Sequence, residues 1–108
     1  MTLLKVEKFK FSAASLTGSL QNFGTTLDNT ALKVSFVNNS DVGCIIQTAD
    51  SNFVVELEPT STLTLDEVYM KNTNQDAKYY LPKGAQLQII QVTAAGTGNI
   101  IAHIVEDR

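Results

Sequence analysis

Alternation of apolar and polar positions is the clearest signal in this chain. Leu32, Val34 and Phe36 recur at every second position with Lys33 and Ser35 between them, and Phe53, Val55 and Leu57 repeat the pattern. Successive side chains of an extended strand point to opposite faces, so a period of two predicts strands with one face buried. Leu63 and Leu65, with Thr62 and Thr64 between, predict another. Val42–Thr48 (VGCIIQT) is more continuously apolar and predicts a strand covered on both sides around Cys44, Ile45 and Ile46. Lys78–Leu81 (KYYL) reads as a short strand. Gln86–Thr93 and Asn99–Glu106 read as two final strands, and Ala94–Gly98 (AAGTG) as the hairpin loop between them.

The intervening residues are turn formers. Asn38–Asn39–Ser40–Asp41, Ala49–Asn52 and Pro82–Lys83–Gly84 are polar or Gly/Pro clusters that favour chain reversal. Pro59 ends its strand, because proline offers no backbone donor to a ladder. Asp66–Ala77 (DEVYMKNTNQDA) is a longer polar loop.

Two segments depart from the simple pattern. In Leu3–Ser12, Leu4 and Val6 share one parity, while Phe9 and Phe11 share the other with Leu3. Such a phase change predicts a bulge, a bend, a move between sheets, or packing on a neighbouring subunit. In Ala13–Ala31, Leu16, Leu20, Phe23 and Leu27 recur at helical spacings, but Gly18, Gly24 and the many Ser, Thr and Asn residues oppose a helix. We read this segment as a short strand or irregular crossover pinned by those four side chains. The sum is about eight short strands with no helix, which predicts an all-β sandwich or barrel.

Composition narrows the picture. The chain has 108 residues, fitting one domain over 1–108, with residues 1–12 as an extended N-terminal strand or arm. It is 44% hydrophobic and 18% charged, which argues against a disordered chain. Its net charge of −3 disfavours nucleic acid as a partner, and Lys5, Lys8 and Lys10 are interleaved with Glu7, Phe9 and Phe11. A single cysteine permits no intrachain disulfide, which points to assembly in a reducing compartment. Met1–Phe11 has no apolar signal region, and no apolar run reaches the ~20 residues of a membrane helix. Synthesis in a cytoplasm and no membrane contact are therefore expected.

Candidate chemistry is sparse. One His (His103) and one Cys (Cys44) cannot build a structural zinc site. Asp66 and Glu67, followed by Asn72, Asn74 and Asp76, lack the glycine and terminal glutamate of a calcium loop. Cys44 lies in an apolar run, where a thiol behaves as a small core residue. His103 reads as an outward imidazole or a hydrogen-bonded core residue. Ala95–Gly98 leads into a strand and not a helix, so it is no phosphate loop. Asn38–Asn39–Ser40 matches a glycosylation sequon and reads as a turn. We therefore expect no cofactor, no metal and no enzymatic activity. Of the three tyrosines, Tyr69, Tyr79 and Tyr80, the adjacent pair would place one ring inward and one outward in a strand. An exposed Tyr would serve as an interface anchor, and a core or rim position is the alternative.

The order of these pieces from Leu32 onward resembles a known family. A strand ending in Asn-Asn-Ser (Val34–Ser40) is followed by a short strand and turn, then by Phe53–Pro59 (FVVELEP) and by Leu63–Asp66 (LTLD). Leu81–Gly84 (LPKG) then leads to the terminal strands. This is similar to the small β-sandwich or jelly-roll virion proteins of tailed bacteriophages, the capsid decoration (cement) type among them. The resemblance implies a single antiparallel β-sandwich, jelly-roll-like, with about eight short strands. It implies a structural protein of the virion that binds the major capsid protein or other virion subunits, forms homo-oligomers with a trimer favoured, and is made in the bacterial cytoplasm. Leu4, Val6, Phe9 and Phe11, with Tyr69, Tyr79 and Tyr80, are the candidate protein interface. The alternatives are a ligand- or carbohydrate-binding β-sandwich module, and another virion part such as a head fibre, neck or tail component.

Overall fold

The computed structural model describes residues 4–49, 53–65, 81–92 and 96–107. These form eight strands: β1 (Leu4–Ser12), β2 (Gln21–Asn22), β3 (Ala31–Ser40), β4 (Cys44–Thr48), β5 (Val54–Leu57), β6 (Ser61–Leu65), β7 (Leu87–Gln91) and β8 (Gly98–Asp107). The only helical element among them is a 3-10 turn over Ala13–Ser15. The strands make two four-stranded sheets, ordered β1-β8-β3-β6 and β2-β7-β4-β5, in which every pairing is antiparallel. Of the successive connections, only β4 to β5 stays within one sheet; each of the others crosses to the opposite sheet. Eight strands alternating in this way between two sheets make a jelly roll.

The core lies between the sheets and follows from the alternation. Along β3, Val34, Phe36, Asn38 and Ser40 are buried, while Ser35 and Val37 are only partly covered and Lys33 and Asn39 are exposed. Phe53, Val55 and Leu57 are buried with Val54 and Glu56 exposed, and Leu65 is buried beside exposed Thr62 and Thr64. Phe36 and Phe53 meet across the sandwich with ring centroids 5.9 Å apart. Full burial of such a side chain contributes about 1.5–3 kcal/mol. β4 is buried on one face only: Cys44, Ile46 and Thr48 point inward, while Ile45 and Gln47 remain partly exposed. The expectation of cover on both sides is corrected there, since the outward side chains keep part of their surface exposed.

Three further expectations are corrected. β1 contains no bulge: it runs in unbroken register with β8 from Leu4–Asp107 to Ser12–Asn99. Its inward face is the odd parity, and Lys5 and Glu7 occupy inward positions beyond the end of the apolar core, beside Phe9 and Phe11. The register shift falls instead in β3, between Ala31 and Lys33, so that Leu32 is the extra residue. Second, β7 and β8 form no hairpin, because β7 pairs with β2 and β4 while β8 pairs with β1 and β3. Third, Leu16, Phe23 and Leu27 do pin the 13–31 crossover to the core, but Leu20 is 42% exposed. The Pro82–Gly84 reversal is a turn closed by the Ala85 amide on the Pro82 carbonyl at 3.0 Å, with Gly84 at φ 87. The expected Asp66–Ala77 loop and residues 78–80 lie outside the described residues.

Candidate protein interface

The candidate N-terminal residues separate by face. Val6 points outward and is 63% exposed, more than any other large apolar side chain described. Phe9 is buried, and Gly24 passes so close over its ring that an added Cβ would overlap it. Gly24 also has φ 77, a conformation that glycine adopts without strain. Phe11 is half-buried against Phe23, with ring centroids 6.0 Å apart. Phe9 and Phe11 therefore hold β1 to the core; the Phe9 ring is covered, and Phe11 keeps part of its surface exposed. Leu4 lies on β1 opposite Asp107. Tyr69, Tyr79 and Tyr80, and the acidic positions Asp66, Glu67 and Asp76, lie outside the described residues.

Lys5 secures the start of β1. Its ammonium lies 2.6 Å from the Asp28 carboxylate and 2.7 Å from that of Glu7. The Asp28 contact first, and then Glu7, holds the lysine pKa above its ordinary range; Lys5 in turn holds the Asp28 carboxyl below its own. The pair ties β1 to the crossover 23 residues later. Near it the fully buried Glu106 accepts a hydrogen bond from the Asn29 amide at 3.1 Å, which fixes the same crossover to β8.

Register places Val6 within an outward-facing array that spans four strands. Val6 lies opposite Val105, which lies opposite Lys33. Lys8 lies opposite His103, His103 opposite Ser35, and Ser35 opposite Thr64. Lys10, Ile101, Val37 and Thr62 form the next row. Lys8, Lys10, Lys33 and His103 are exposed, and Val37, Ile101 and Val105 are partly so. The one acidic position on the described part of this face is Asp107, opposite Leu4 at the end of β8. The outer edge of β1 adds backbone groups with no strand beside them among the described residues.

Reactive side chains do not converge. Cys44 is fully buried on the inward side of one sheet, and His103 faces outward from the other. Burial pushes the Cys44 thiol up to about 11. The described residues contain no group of three or more His, Cys, Asp or Glu able to hold a metal ion. A shallow hollow of about 350 Å³ lies between Thr48–Ala49 and the Pro82–Gln86 turn; among the described residues that line it, Lys83 is the charged one. No described helix is long and apolar enough to cross a membrane. The sequon asparagine, Asn38, is buried and donates to the carbonyls of Val42 (2.8 Å) and Glu58 (3.0 Å), so it is a structural residue.

No family model, curated protein or solved structure matches this chain. What the geometry offers is a sheet face carrying apolar side chains among lysines, next to an edge strand, β1, that has no further strand beside it among the described residues. The basic face was hidden in the sequence, because Lys8 and Lys33 are far apart there and only the pairing of β1 and β3 with β8 places them on one face.

Proposed function

We propose that this chain is a non-enzymatic structural protein that works by binding other protein, and that its role is to decorate and stabilise a tailed-phage shell. The observation that carries the reading is the outward face of β1-β8-β3-β6, where Val6, Val37, Ile101 and Val105 stand among Lys8, Lys10 and Lys33, with Asp107 the one acidic position at its margin. A flat face of this kind suits contact with another folded surface: apolar rows supply affinity and the charges set orientation. The resemblance in strand and turn order from Leu32 onward supports the virion assignment, and jelly rolls are a recurrent architecture of viral shells. Weak contacts repeated over a symmetric shell add through avidity, so no single deep pocket is needed.

Co-sedimentation with purified phage particles from the producing cells tests this. The wild-type chain should pellet with the particles, and Val6→Glu combined with Lys8→Glu should lower occupancy about tenfold or more. A wild-type chain that stays in the supernatant at every ionic strength overturns the reading.

A further inference from the structure

The opposite face of the sandwich has a different character. The outward positions of β2-β7-β4-β5 are Asn22, Gln88, Gln47 and Val54 in one row and Ile90, Ile45 and Glu56 in the next. Val54 is 40% exposed, and the same parity continues to Val92 after β7 (47%) and to the exposed Glu58 after β5. No Lys or Arg occupies a described position on this face. All four large apolar side chains that are exposed among the described residues are Val6, on the basic face, and Leu20, Val54 and Val92, on or bordering the opposite one. One molecule thus carries a basic apolar face and an acidic apolar face on its two sides.

We propose that these two faces dock on each other between copies of the chain, head to tail. Apolar rows meet on both sides, and Lys8, Lys10 and Lys33 of one copy face Glu56 and Glu58 of the next. A two-fold contact between two basic faces would set lysines against lysines, so the charges select the heterologous pairing. Because the faces lie on opposite sides of the sandwich, the contact propagates as an open stack and does not close at three copies. The inference rests on the chain being a protein-binding module, and not on which particle carries it.

Sedimentation velocity over a concentration series, at about 0.02 M and about 0.5 M salt, reads the contact directly. The wild type should form species that grow with concentration and shrink with salt. Lys8→Glu with Lys33→Glu gives a chain acidic on both faces; Val54→Lys with Glu56→Lys gives one basic on both. All four side chains are exposed, so thermal unfolding should be unchanged in both variants. Each variant alone should associate about tenfold more weakly than wild type, and an equimolar mixture should recover association. Three results overturn the stack: a wild type that is monomeric throughout, a closed trimer that does not grow, or either variant assembling alone as the wild type does. None of these touches shell binding, which is read by co-sedimentation with particles.

Discussion

Asn38 shows how one polar side chain can set a jelly-roll corner. It lies near the end of the inward-facing run of β3, and its amide bridges the β3–β4 connection to the carbonyl of Glu58, just before the β5–β6 turn. Its oxygen accepts from Ser40, whose hydroxyl also accepts from the Val42 amide. Alanine at Asn38 removes the donor shared by the Val42 and Glu58 carbonyls, leaves Val42 only the longer contact from the Ser40 hydroxyl, and should cost about 1–3 kcal/mol in urea unfolding. Cys44 makes a separate prediction. With its pKa pushed up to about 11, only about one thiol in a thousand is ionised at pH 8. A thiol reagent should therefore fail to label the folded protein and should label it fully in denaturant. Stoichiometric labelling under native conditions contradicts the burial.

At the scale of the element, β1 separates core from surface residue by residue. Phe9→Ala should destabilise the fold by about 3–5 kcal/mol, whereas Val6→Ala should change stability by about 0.5 kcal/mol or less. Chemical denaturation of the two variants checks this; equal losses would mean that β1 is turned over. The Lys5–Asp28 pair adds a pH dependence. The Asp28 carboxyl is lowered in the folded state, so its contribution is present above the unfolded value of about 3.9 and is lost as pH falls through the folded value. Lys5 is raised, so its contribution is present below about 10.4 and is lost as pH rises through the folded value. The pair is exposed, so the effect is small and screened by salt. Asp28→Asn should flatten the acid limb of a urea-midpoint profile while leaving the Phe9 packing intact.

These elements also show what could be read in advance. Phe53–Leu57 and Ser61–Leu65 were legible because alternation is a local consequence of strand geometry. The phase of β1 was not, because the inward Lys5 is satisfied by Asp28, a partner that spacing along β1 does not reveal. Leu20 shared a helical spacing with three true core residues, and spacing alone does not distinguish a pin from its neighbours. The end of β7 and the start of β8 were legible on either side of Ala94–Gly98. The destination of β8 was not, since turn chemistry does not state which sheet the next strand joins.

At the scale of the whole molecule, the connectivity explains why the surface carries the chemistry. Almost every connection crosses between sheets, so each sheet mixes strands distant in sequence and its outer face is assembled only on folding. Lys8, Lys33 and His103 become neighbours through β8, and Ile45, Ile90 and Glu56 through β4. The interior, by contrast, is apolar packing with a buried thiol and a few polar groups, among them Glu106, whose second carboxylate oxygen has no partner among the described residues. The account accordingly holds that this protein acts through its outer sheet faces and not through a cleft. A density map of the native particle, with the chain marked by a bound antibody fragment, tests that most directly. The account predicts copies at regular intervals on the shell, with the β1-β8-β3-β6 face turned towards the neighbouring protein; particles that carry no copy, or copies held by the loop ends with both sheet faces open to solvent, would contradict it.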